Sequence, residues 1–292
     1  MAAIHLLPVS NPNQMRFATS LLSGSIAFLL TFSLQAQHAS HEGPCGMTRA
    51  DLDVVTTQML SNMAVLEEYG ADLRDGSTTY IPVKFHIVNR TNGTGGVPLE
   101  RILEMLCGIN EFFADQNLVF FIRNGINTIN NTGLFDNPQS EASILLMLNS
   151  RVTGTLNIFL TDQTGQANIL GYYTPGQAGF PADYIVIRRS EIGYRKNTIE
   201  HEIGHYFQLL HTFNGWECEA WEASKHGKPL NSNFAPCNSA KSPFGAVLAE
   251  LADGSNGGSS GDFINDTPAD YNLGLGWSTC TYTGGAQDKN GV

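Results

Sequence analysis

Apolar positions recur along this chain in two periods, and the switch between them marks out its elements. Residues 47–69 carry Leu52, Val55, Met59, Met63 and Leu66 at spacings of three and four, the stripe of an amphipathic helix. Residues 80–88 are rich in β-branched and aromatic side chains and predict a strand. Pro82 places that strand near an edge, or itself at the strand start, because proline cannot donate to a ladder. A turn follows at 91–96. Helical spacing returns over 99–113, where Ile102, Leu106, Ile109 and Phe113 mark a buried face and Cys107 lies beside it as a buried thiol. Apolar runs at 118–122, 156–160 and 184–187 predict short strands, with a short helix at 143–148. A last helix carries Ile199, Ile203, Tyr206 and Leu210 on its inner stripe, with Asn197 or Thr198 placed to cap its start. Strands and helices in this order predict an α/β fold with a small, twisted, mostly parallel sheet. Periodicity ends near residue 213. Residues 213–292 are rich in Gly and Asn, hold all three Trp, and predict an irregular subdomain held by disulfides or calcium rather than by a regular core.

The first 36 residues stand apart. Arg16 precedes an apolar run at 21–34, and Ala36 offers a small residue before Gln37, the layout of a secretory signal. Ser23, Gly24 and Ser25 interrupt the run and leave it short for a stable membrane span; a single-span anchor is the competing reading. Export would place Cys45, Cys107, Cys218, Cys237 and Cys280 in an oxidising compartment, and their odd number leaves at least one unpaired. A pair is expected among the last three. Residues 37–78 read as a pro-segment and linker with Arg74 as a cut site, or as an N-terminal helix of the mature domain. The 292 residues carry a formal net charge of −11 with only 16 Lys and Arg, so no basic patch offers itself to nucleic acid.

Chemistry concentrates at 198–211, Thr-Ile-Glu-His-Glu-Ile-Gly-His-Tyr-Phe-Gln-Leu-Leu-His. His201 and His205 lie one helical turn apart on one face, and His211 follows six residues later. Three neutral imidazoles with a fourth position left open form the donor set of a catalytic zinc site. Zinc there would acidify water and polarise a carbonyl, and Glu202 is placed to take the water proton and deliver it to a leaving amine. For His211 to join, the helix must end just after His205 and the chain must turn back. A left-handed turn at Gln208 would cost roughly 1–3 kcal/mol relative to Gly. Glu217 and Glu222 are the alternative third ligands. His86, inside the first predicted strand, reads as a core histidine.

Three stretches together resemble the metzincin metallopeptidases and, within them, the pappalysin family. They are the histidine motif running into Thr212-Phe213, the block Glu-Leu-Ala-Asp-Gly-Ser-Asn at 250–256, and Gly-Asp-Phe-Ile-Asn-Asp-Thr-Pro-Ala-Asp at 261–270. The resemblance spans residue 45 to about residue 291. It implies a secreted zinc endopeptidase of protein or peptide substrates, made as a zymogen. On that resemblance Cys45, followed by Gly46, is the pro-segment cysteine whose thiolate fills the open zinc position; pairing with Cys107 or another thiol competes with it. Asp253, Asp262, Asp266 and Thr267 resemble the family's calcium-binding loop, with turn-forming Asp side chains as the alternative. The implied plan is a signal peptide at 1–36, a pro-segment and linker at 37–78, an N-terminal catalytic subdomain at 79–211 and a partial C-terminal subdomain at 212–292. Gln208 stands where the family has Gly, 217–247 reads as an insertion, and a cysteine expected near Gly257 is replaced. All seven Met precede His201, whereas metzincins carry a Met-containing turn beneath the metal. The expectation is a chain truncated before that turn. The alternative to an enzyme is an inactive zinc-binding relic or binding module.

Overall fold

The computed structural model describes residues 46–69, 76–177, 179–227, 230, 234–237, 248–251, 253–265, 269–272, 277–278 and 281–282. The expected signal peptide, Cys45, Arg74, Asp266, Thr267 and Cys280 lie outside the described residues. Six strands build one sheet: β1 (Thr79–Asn89), β2 (Leu118–Ile122), β3 (Asn127–Asn130), β4 (Leu156–Thr161), β5 (Gly171–Thr174) and β6 (Tyr184–Arg188). Their spatial order is β2-β1-β4-β6-β5, with β3 also paired to β1. All pairings are parallel except that of β5 with β6 at the sheet edge. Pro82 pairs with Phe121 of β2 and precedes the β4 ladder, which begins at Val83. The proline therefore sits near the strand start, before β1 is flanked on both sides.

Five helices cover the two faces: α1 (Arg49–Tyr69), α2 (Leu99–Phe112), α3 (Thr132–Asp136), α4 (Glu141–Ser150) and α5 (Thr198–Tyr206). On one face, Leu52, Val55 and Met59 of α1, Ile102, Met105 and Ile109 of α2, and Ile199 and Ile203 of α5 share a core with Phe85, Ile158, Ile185 and Ile187. On the other, Leu134 and Phe135 of α3 and Met147 of α4 pack with Phe159, Tyr184 and Val186. Successive residues of β4 and β6 thus face different helices. That is why these strands read as continuous apolar runs rather than alternating ones. The α/β class and mostly parallel sheet are those the sequence predicts.

Several local expectations are corrected. Cys107 is exposed, not buried: α2 turns Met105, Gly108 and Ile109 inward, and residue 107 falls on the opposite side of the helix. Leu66 is also exposed, because the last turns of α1 run past the core. Strands β3 and β5 and helix α3 stand where the sequence pattern shows no element. The region after residue 212 has a small core of its own, in which Trp216, Ala235, Ala249, Ala269 and Tyr271 are buried. A disulfide joins Cys218 to Cys237, a pair within the expected trio. No helix among the described residues is long and apolar enough to cross a membrane.

Candidate metal centre

Helix α5 carries the first two histidines and ends where the third needs it to end. Its start is held differently from the expectation. Asn197 occupies the N-cap position with φ 65°, and its side chain makes no capping bond; Thr198 instead bonds Glu191 through its hydroxyl. The carboxylate of Glu200 accepts from its own backbone N–H and that of Asn197, one half of a capping box. These bonds oppose the burial that raises its pKa.

The C-terminal end is a Schellman motif. Leu209 N–H donates to the Gly204 carbonyl and Gln208 N–H to that of His205, both at 2.9 Å. Gln208 takes the left-handed place in it, with φ 70°. Its side-chain oxygen accepts from Asn62 of α1 at 2.6 Å. The turn has a further effect: it swings the Leu209 carbonyl back onto the ring of His205, whose Nδ1 lies 2.8 Å away. A carbonyl can only accept, so Nδ1 carries the proton and Nε2 presents a lone pair.

That lone pair faces the other two rings. His205 Nε2 lies 3.1 Å from His201 Nε2 and 3.2 Å from His211 Nε2. Phe213 stacks on His211 with ring centroids 4.6 Å apart and the planes 14° from parallel. Among the described residues these three histidines form the one group of three or more metal-ligating side chains whose donor atoms converge, all within 4.8 Å. His205 and His211 are buried, while His201 is open to solvent. Although part of His201 is open to solvent, desolvation by the protein packed around it and neighbouring His211 lower it, and burial, His211 and His201 together hold His205 well below the ordinary histidine range. The rings of His201 and His205 are therefore neutral near pH 7, the form that binds a metal. One fixed lone pair facing two imidazole nitrogens cannot satisfy both by hydrogen bonding, and the donor set fits a divalent cation such as zinc.

Glu202 follows His201 on α5 and is almost wholly buried. Its Cγ lies only 3.2 Å from where a Cβ on Gly171 would stand, and Thr198 and Ile187 crowd the same point at 3.0 Å. Glycine at 171 lets α5 lie this close to edge strand β5. That requirement is invisible in the sequence pattern, where 161–179 reads only as a Gly-rich stretch. Gly46, the residue after Cys45, is tied to the same place, its N–H donating to the Gly171 carbonyl at 2.9 Å.

The remaining candidates are placed as follows. His86 is a core residue: its Nε2 donates to Asn157, its Nδ1 accepts from Asn127, and its ring stacks on Phe159 at 4.2 Å. Glu222 accepts from the Ser224 hydroxyl, is exposed and is not part of the converging group. Glu217 also lies outside the converging group, but near His211. Asp253 and Asp262 each accept from the backbone N–H two residues on, Ser255 and Ile264, as turn-forming Asp side chains do. The downstream blocks do reach the loop after His211. Thr212 donates to Asp270 at 2.7 Å, Asn214 to the Gly261 carbonyl at 2.7 Å, and the Tyr271 hydroxyl to the Glu250 carbonyl at 2.6 Å.

No family model matches the chain. It is 30% identical over 156 residues to an extracellular metalloprotease of Colletotrichum graminicola, a match covering 49% of this chain and 55% of that protein. Over 168 residues it is 26% identical to extracellular metalloprotease 1 of Coccidioides posadasii, covering 52% of this chain and 59% of that one. The chain thus spans little more than half the length of the curated relatives it matches. Among solved structures, metalloproteinase-II from Bacteroides fragilis aligns at 18% identity and a TM-score of 0.31, over 48% of this chain and 46% of its own. These are the proteins beside which the residues just described stand.

Proposed function

We propose that this chain is the catalytic part of a secreted, zinc-dependent endopeptidase of the metzincin type, close to the pappalysins. The convergence of His201, His205 and His211 carries the reading, because the Schellman turn and the Leu209 carbonyl aim one lone pair at a point shared by three rings. The similarity to extracellular metalloproteases supports the reaction class and the location.

The three histidines would hold the metal. When bound there, zinc supplies Lewis acidity, acidifying water and polarising a peptide carbonyl. Glu202 accepts a proton from the attacking water and returns it to the departing amine, so the enzyme regains its starting state after each cleavage. Its burial against Gly171 keeps the carboxylate in place for both transfers. Strand β5 is the sheet edge next to this glutamate, where the Gly171 carbonyl already accepts from the Gly46 N–H; an extended peptide substrate would bond to the same edge in place of Gly46. Cys45 precedes Gly46, which is bonded to β5 at Gly171; that placement supports the zymogen role for its thiol. Calcium at Asp253, Asp262, Asp266 and Thr267 is the accompanying proposal, tested by whether calcium raises the melting temperature.

The direct test compares the full chain with its Glu202→Ala variant for bound zinc and for casein hydrolysis, both carrying Cys45→Ala so that the thiol cannot occupy the metal. The expected result is unchanged zinc content with at least a hundredfold loss of hydrolysis, the lower range for a general base. A variant that hydrolyses casein at the wild-type rate removes Glu202 from the mechanism.

A further inference from the structure

Two buried polar atoms beside the histidine cluster have no hydrogen-bond partner, and they face one another. One is Nδ1 of His211, the other Oε1 of Glu217, and they lie 3.8 Å apart. An orphaned buried donor or acceptor costs roughly 1–3 kcal/mol. A movement of about an ångström would satisfy both at once. Building on the zinc reading above, we propose that Glu217 is a positioning residue for His211: its carboxylate accepts the Nδ1 proton and so presents the Nε2 lone pair to the metal.

Each neighbouring contact fits that task. The second carboxylate oxygen of Glu217 accepts from the Gly215 N–H at 2.8 Å, which fixes the side chain's direction. The Gly215 carbonyl in turn accepts from Cys237 N–H at 2.9 Å, and Cys237 is bound to Cys218, the residue next to Glu217. The carboxylate thus sits on a turn closed by a disulfide, while Phe213 stacks flat on the ring it would orient. His205 already has the equivalent arrangement through the Leu209 carbonyl. His211 lies beyond the helix, where no turn of α5 can provide one, and a side chain from the following loop fills the role. A carboxylate behind a ligating imidazole fixes its tautomer and makes it a stronger donor. Glu217 was an alternative third ligand in the sequence; its place behind His211 makes it a support for the ligand instead.

The test uses the full chain and zinc alone as probe. Zinc affinity is measured by chelator competition for wild type, Glu217→Ala, Glu217→Gln and the neighbouring control Glu219→Ala. Nitrogen–proton NMR of the metal-free protein reports the His211 tautomer. Glu217→Ala is expected to weaken zinc binding 10- to 100-fold and to release His211 from the Nδ1–H form. Glu217→Gln, whose amide oxygen accepts the same proton, recovers most of the affinity and keeps the tautomer while shifting the Nδ1 proton signal. Glu219→Ala changes neither. Wild-type affinity and an unchanged tautomer in Glu217→Ala would overturn the proposal, as would a Gln variant as weak as the Ala one. Should the Ala variant fail to fold, the Nδ1 proton shift between wild type and Glu217→Gln decides. A wild-type chain that binds no zinc would defeat the zinc reading instead, and the tautomer would still judge the Glu217 contact.

Discussion

Gln208 is where a single residue bears most directly on the histidine cluster. Its backbone is left-handed, φ 70°, and a side chain with a Cβ pays for that conformation by roughly 1–2 kcal/mol. The Asn62 contact returns part of it, but that bond is exposed and worth little. Gln208→Gly is therefore expected to raise stability by about 1 kcal/mol with zinc binding intact, and Gln208→Val to lower it by a similar amount, read from urea midpoints. A Gly variant less stable than wild type would show the turn is not strained.

His86 makes a separate prediction at the same scale. Burial chiefly lowers its pKa from 6.5 to about 4; the nearby Lys84 charge adds to this and the bond to Asn157 opposes it. The unfolded chain binds this proton below about pH 6.5 and the native protein does not until about pH 4. The contribution is thus fully present above pH 6.5 and is lost as pH falls towards 4, up to roughly 3 kcal/mol in all. Replacing His86 with Gln is expected to remove about one proton from the slope of stability against pH in that window; an unchanged slope would contradict the assignment.

At the scale of elements, α5 and α1 matter most. The sequence showed α5 plainly, since its apolar stripe and its histidines obey one helical period. It also showed that the helix must stop just after His205, and the turn at Gln208 is where it does. The closing bonds were not legible, because a Schellman motif is built from backbone groups and reads as Gln-Leu as easily as Gly-Leu. Strand β5 was missed for a related reason. Four residues, Gly-Tyr-Tyr-Thr, are too few to show alternation, and Gly171 is there for the close approach of Glu202. Strand β3, Asn-Thr-Ile-Asn, has only one large apolar residue and is held by its parallel pairing to β1. Glu217 escaped as a support because its relation to His211 depends on a loop folding back through the disulfide.

Helix α1 was read as a removable segment or as part of the mature domain. It contributes Leu52, Val55 and Met59 to the core that α2 and α5 share, with Thr48 and Asp51 capping its start reciprocally. Three such side chains stabilise by roughly 5–9 kcal/mol. After a cut within 70–78, α1 is expected to stay bound and to co-elute with the remainder in size-exclusion chromatography under native conditions. Spontaneous loss of the helix on cleavage would mean that this packing is far weaker than its burial implies.

At the scale of the molecule, a mostly parallel sheet covered on both faces supports α5, and residues downstream of 212 bond to the loop that follows it. Thr212–Asp270 and Asn214–Gly261 tie the loop after the third histidine to the downstream blocks, which gives those separated motifs a common physical purpose. The central claim is that three histidines from one short stretch hold one zinc ion. The zinc-to-protein ratio after dialysis against zinc-free buffer, wild type beside His211→Ala, measures it most directly. A ratio near one in wild type that falls well below one in the variant is the expected result. Equal zinc in both, with both folded, would contradict a three-histidine centre.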